Sequence, residues 1–146
     1  MLAKSNQIVN QMFSGDRFSK HLGIKIIEIS EGYSKLEMLV RDDMLNGFDI
    51  LHGGVSYSLA DSCLAFAANS YGRISVSLNA KMSYPESSKV GDILTAESVE
   101  ITITNKIGIY DVFIKNQHGV MIGVFRGTVY RTEKEFLINN TVISNE

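Results

Sequence analysis

A chain of 146 residues with 45% hydrophobic and 21% charged residues fits one soluble globular domain with a real core, residues 1–146 forming a single unit. Its net charge of −2 removes the electrostatic case for nucleic acid, and its one cysteine, Cys63, excludes a disulfide framework and points to a reducing compartment. The N-terminal stretch MLAKSNQIVNQMF lacks the apolar run of a signal peptide, and no stretch is long enough to span a membrane, so a cytoplasmic protein without a membrane partner is expected.

From the N-terminus, Ile8, Val9, Met12 and Phe13 recur at helical intervals and predict a short amphipathic helix over 2–13. Residues 18–22 read as a connecting turn. The period then changes: 24–30 and 33–40 are rich in Ile, Leu and Val, and Glu31-Gly32 between them predicts a hairpin. Residues 41–51 are dense in loop formers (Asp42, Asp43, Asn46, Gly47, Asp49) and lead into His52-Gly53-Gly54. From Val55 to Tyr71 there is no proline or glycine, and Gly72 is a natural stop. Such a helix would be roughly 25 Å long. It is apolar on most faces, the pattern of a buried element.

Beyond Gly72 the clearest strand begins. Ile74, Val76, Leu78, Ala80, Met82 and Tyr84 alternate with Ser75, Ser77, Asn79, Lys81 and Ser83, and Pro85 ends the run. Strands are predicted over 93–104, 107–115 and 120–131, joined by tight turns as an antiparallel meander. Residues 132–146 are polar and mixed, and most of them are expected to be loose, leaving a core of about 20–131. The expected class is α+β: one six-stranded antiparallel sheet wrapped around a single long central helix, with a short N-terminal helix. A free edge at 74–84 would be hidden by pairing with a second copy, so a homodimer is expected there.

Asp61 is the only formal charge on the long helix. A carboxylate in that position is either hydrogen-bonded to a neighbouring loop or has a chemical job. It lies two turns beyond Gly54 and so is not an N-cap. His21, His52 and His118 are scattered without ligand spacing, so neither a metal site nor a cofactor is expected.

The run Asn46-Gly47-x4-His52-Gly53-Gly54-x6-Asp61 resembles the hot-dog-fold acyl-CoA thioesterases, in particular the phenylacetate-degradation type. The likeness continues through Ala68-Asn69-Ser70, Tyr84-Pro85, Gly91-Asp92-x-Leu94-x-Ala96, Tyr110-Asp111-Val112 and Phe125-Arg126-Gly127. The resemblance implies a sheet curled round one helix and hydrolysis of a small, aromatic acyl-CoA of the phenylacetyl or hydroxyphenylacetyl type. It also implies a homodimer, or a dimer of dimers (a homotetramer), in which the glycine amide of one subunit works with the carboxylate of the other. The Gly53 N–H would hold the thioester oxygen, and Asp61 would be general base or nucleophile. Asn46 would position water or substrate, and His52 would brace the loop. Gly54, Leu64 and Ala65 would border the substrate. Ser75 is the nearest match to a hydroxyl that some relatives use, although the alternation sends it to the polar face.

The chemistry agrees with that assignment. Unpaired N–H groups at a helix N-terminus can polarise a carbonyl, and glycine leaves them open to close approach. Equally, a glycine pair is an ordinary way to turn into a helix. Gly54 and Asp61 are separated by about 700° of helical rotation, so they share a face about 10 Å apart, too far for one carbonyl within one helix. Arg73, Lys81, Lys89, Lys106 and Arg126 are candidates for the coenzyme phosphates. Two other readings stay open: a non-catalytic acyl-CoA-binding module, and a hot-dog dehydratase or hydratase.

Overall fold

The helix that opens at Gly53 organises the molecule. In the computed structural model, which describes residues 2–138, α3 runs Gly53–Asn69 and packs against every strand of one six-stranded antiparallel sheet. Leu59, Ala60, Cys63 and Leu64 are fully buried, which is why a sequence apolar on most faces is stable here. The other elements are α1 (Lys4–Gly15), α2 (Arg17–His21), β1 (Lys25–Ser30), β2 (Tyr33–Leu39), β3 (Arg73–Ser83), β4 (Ile93–Ile103), β5 (Ile107–Lys115) and β6 (Met121–Glu135), with a single 3₁₀ turn at Asp42–Met44. The strand order is β1-β2-β4-β5-β6-β3, so β3 and β1 are the two edges. No helix among the described residues is long and apolar enough to cross a membrane.

The hairpin turn closes at Gly32, whose φ of +73° suits glycine. Its N–H donates to the Ser70 hydroxyl just beyond α3, tying the hairpin to the helix end.

Three expectations are corrected. Residues 18–22 do not form a plain turn. The Asp16 side chain accepts from the Ser19 N–H and nucleates α2 directly after α1. Thr132–Glu135 are not loose either: they continue β6 alongside the start of β3. The Thr132 hydroxyl donates to the Ile74 carbonyl at 2.6 Å, and the Arg73 guanidinium donates to the carbonyls of Thr132 and Arg131. Residues 136–138 carry no regular secondary structure, although the Phe136 N–H donates to the Gly72 carbonyl at 2.6 Å, and 139–146 lie outside the described residues.

The third correction concerns β3. Ser77 pairs with Val129 and Asn79 with Thr128, so Leu78 is an extra residue, a bulge that reverses the inward phase of the strand. Before the bulge Ser75 is buried while Val76 is 49% exposed. After it Ala80 and Met82 pack on the core. Ser75 therefore does not lie on the exposed polar face: its N–H donates to the Asn69 side chain at the far end of α3.

Candidate active site

The approach to α3 is built by the 45–52 loop. A bridge between Leu45 and Leu51 pinches it. The Asn46 Oδ1 accepts from the Phe48 N–H at 2.8 Å, and Asp49 takes a left-handed φ of 59° to turn the chain back. The His52 N–H then donates to the Met44 carbonyl, delivering Gly53 to the first helical position.

At that point the backbone donors divide their work. The Gly54 N–H donates to His52 Nδ1 at 2.9 Å, a side-chain cap, and the Val55 N–H donates to the His52 carbonyl. A Cβ on Gly54 would stand 3.1 Å from His52 Nδ1, so glycine lets the imidazole close. The Gly53 N–H has no acceptor among the described residues. It is a free donor at the positive end of the helix dipole.

Gly53 borders a cavity of about 240 Å³ together with Asn46, Leu51, Ser56, Tyr84 and Glu86. Tyr84 donates its hydroxyl to the Gly53 carbonyl at 3.1 Å, and the buried Ser56 hydroxyl donates to the same oxygen at 3.2 Å. The Gly53 carbonyl is thus held by two hydroxyls, while the N–H of the same residue, in the preceding peptide unit, stays free. Beneath the cavity, Asp92 is buried and receives Ser88 Oγ, the Lys89 N–H and the Gln117 amide. The Ser88 carbonyl in turn accepts the Leu51 N–H at 2.7 Å, joining the two loops. Burial alone would raise the Asp92 carboxyl; the three donors outweigh it and hold it below the usual carboxylate range.

Asp61 lies elsewhere. It borders a second cavity of about 230 Å³ with Asp16, Phe18, Ser19, Tyr57 and Ala65, on the one stripe of α3 that the sheet leaves uncovered. Tyr57 is fixed there by an edge-on contact with Phe125, centroids 5.5 Å apart. Asp61 is half-buried, and neither a hydrogen-bond donor nor a counter-charge reaches it among the described residues. Burial, and then the like charge of Asp16, push its carboxyl above the usual value.

Of the residues singled out in the sequence, Asn46 and Gly53 meet at the first cavity and Asp61 and Ala65 at the second. His52 and Gly54 form the cap between themselves. Leu64 is fully buried in the core and Ser75 sits at the opposite helix end; neither borders either cavity. Two of the basic candidates are committed elsewhere: Arg126 forks onto Asp111 at 2.6 and 2.9 Å, and Arg73 binds backbone carbonyls and Asn105. Sequence reasoning passed over Tyr84 as a site residue, along with Ser56, Tyr57 and Asp16. Only Asp16 left a local signal, an Asp three residues before a serine at a helix start.

The sequence model of the thioesterase superfamily matches residues 48–122, which span the Gly53 turn, α3 and the strands from β3 into β6. The acyl-coenzyme A thioesterase PaaI of Escherichia coli is 36% identical over 131 residues, covering 90% of this chain and 94% of its own. The solved structure of E. coli PaaI, from the phenylacetic acid degradation operon, superposes with a TM-score of 0.89 at 34% identity, over 92% of this chain and 97% of that one. A mutant form of the phenylacetic acid degradation protein PaaI from Thermus thermophilus gives 0.77 at 32% identity, over 80% of this chain and 100% of that one. With this coverage and this sheet around one helix, the chain belongs to the thioesterase superfamily, as a hot-dog-fold thioester hydrolase of the PaaI type.

Proposed function

We propose that this chain hydrolyses the thioester of a small aryl acyl-CoA, of the phenylacetyl or hydroxyphenylacetyl class, to the free acid and coenzyme A. The observation that carries the reading is the division of labour on α3. Gly53, with a free backbone donor, borders a cavity at the helix N-terminus, and Asp61, an unpartnered carboxylate, borders another two turns on. The names of the PaaI relatives support the acyl-CoA class.

In the proposed mechanism the Gly53 N–H donates to the thioester oxygen and stabilises the charge that develops there. Asp61 of the other subunit either takes a proton from water, which attacks the carbonyl carbon, or attacks that carbon itself to give an anhydride that water then opens. In both routes a C–O bond forms, the C–S bond breaks and the thiolate leaves to be protonated. Asn46, whose Nδ2 has no acceptor among the described residues, orients the water or the acyl group. The two helices would run antiparallel across a dimer formed along the β3 edge, which is open in the chain. Lys81, Lys89 and Lys106, which make no ion pair among the described residues, remain for the coenzyme phosphates.

The test is free-thiol release over a panel of aryl and alkyl acyl-CoAs. Phenylacetyl-CoA or a hydroxylated analogue should exceed palmitoyl-CoA in kcat/KM. A tenfold preference for long chains would overturn the aryl class and leave the hydrolase; tight binding without turnover would overturn hydrolysis by this site.

A further inference from the structure

The second cavity holds a carboxylate that the mechanism above does not use. Asp16 lies between α1 and α2, and both of its oxygens are tied: Oδ1 accepts the Ser19 N–H at 3.0 Å and Oδ2 accepts the Ser19 hydroxyl at 2.6 Å. That hydroxyl also pairs with the Ser62 hydroxyl at 2.7 Å, and Ser62 is the neighbour of Asp61 on α3. A chain of short hydrogen bonds thus runs from Asp16 to the helix and holds the carboxylate at the rim of the cavity that Asp61 borders. Capping α2 requires only one acceptor oxygen, and a serine or an asparagine would supply it. The capping role does not call for a charge.

We propose that Asp16 is a positioning residue whose fixed negative charge makes Asp61 a stronger base. The inference rests on the reading of Asp61 as the reacting carboxylate. A like charge close by disfavours a second ionisation, and in a half-buried cavity water screens it only in part. The groups facing Asp61 are few. From the α1–α2 junction there is Asp16. On α3 the cavity also carries Tyr57, whose ring is committed to Phe125. Among the described residues no charged group on the six strands acts on Asp61, and Arg17, Lys20 and His21 of α2 form no ion pair with either carboxylate. The direction of the Asp61 shift, with burial first and Asp16 second, agrees with this geometry. A base of raised affinity for protons transfers them more readily near neutral pH, where an ordinary aspartate is a weak acceptor.

The test is Asp16→Asn, which keeps an acceptor for the Ser19 N–H and loses the charge; Asp16→Ser is the second variant should asparagine disturb α2. Two readouts are taken on the full chain. The first is the ¹³C titration of the Asp61 carboxyl, assigned by its loss in Asp61→Asn. The second is kcat/KM against pH for thioester hydrolysis. In both variants the Asp61 midpoint should move to lower pH, the acid limb should move with it, and the plateau should fall about two- to fivefold. An unchanged Asp61 midpoint with an intact fold overturns the proposal. A midpoint that moves beneath an unmoved acid limb upholds the influence of Asp16 and overturns Asp61 as base, so the two failures are told apart.

Discussion

The Tyr84 hydroxyl reaches the carbonyl oxygen of Gly53 at 3.1 Å, and its ring stands 3.2 Å from where a Cβ on Gly53 would sit. One side chain therefore both orients the Gly53 peptide and limits what can occupy that position. In Gly53→Ala the methyl group presses on Tyr84, which is half exposed and can give way. Melting temperature should change little, while kcat/KM should fall by up to about 10²-fold, because alanine keeps the N–H while its methyl group crowds the thioester's approach to it. Tyr84→Phe removes only the hydroxyl and should lower kcat less than tenfold. A Gly53→Ala enzyme with wild-type turnover would mean that no substrate atom approaches this residue closely, against the proposed role of its N–H.

His52 offers a test of bracing against base catalysis. Its Nδ1 accepts the Gly54 N–H, so His52→Ala leaves a second free donor beside Gly53 and loses an N-cap. A stability loss of about 1 kcal/mol is expected, measured by urea unfolding. His52→Asn, which caps through an oxygen, should recover most of both stability and rate. If asparagine restores stability and leaves turnover abolished, the imidazole has a chemical role.

Asp92 gives a pH prediction of known sign. Its folded carboxyl lies below its usual value of 3.8, so it stabilises the fold above that pH, and the contribution is lost as pH falls through the lowered value. Asp92→Ala strips partners from Ser88, the Lys89 N–H and Gln117, and should cost about 1–3 kcal/mol near neutral pH. In urea titrations the gap between variant and wild type should close in acid. Because Ser88 holds Leu51, KM should also rise as the 45–52 loop loosens.

How far these residues could be read in advance follows from how local their determinants are. The body of α3 and the hairpin turn at Gly32 were legible because composition and glycine positions act within a few residues, although the helix runs Gly53–Asn69 and not Val55 to Tyr71. The separation of Gly53 from Asp61 follows from helical pitch alone. The Leu78 bulge was not legible: a strand that alternates without error fits either phase, and only pairing with Val129 and Thr128 selects the reversal. Tyr84 on Gly53 spans 31 residues, and nothing local to either marks it. The strand character of Thr132–Glu135 arises from bonds to Arg73 and Ile74 across the sheet, against a polar composition that reads as loop.

The open edge of β3 bears on assembly. Val76 and Leu78 are 49% and 56% exposed on that strand. In a dimer formed along this edge they would lie near their own copies, so Val76→Lys with Leu78→Lys should set like charges close together. Light scattering should then report a smaller particle than the wild type, with thiol release falling in parallel. A wild-type protein that is monomeric and fully active at micromolar concentration would sink the shared site.

Asp61→Asn should separate stability from activity. The unfolded carboxyl ionises around 3.8, whereas the folded one ionises higher because burial and Asp16 disfavour its anion. Below 3.8 both states are protonated and there is no penalty. As pH rises, the unfolded chain ionises first, stability falls, and the loss is complete once the folded group has ionised too. Asparagine is similar in size and has no charge to desolvate, and wild-type Asp61 has no donor whose bond would be lost. At equal protomer concentration the variant should therefore melt above the wild type near neutral pH, with the advantage shrinking as pH approaches 3.8. Near neutral pH kcat should be at least ~10²-fold lower, with acyl-CoA binding little changed, because the loss lies in the transition state. A variant that melts lower and turns over normally per folded molecule would make Asp61 a structural carboxylate.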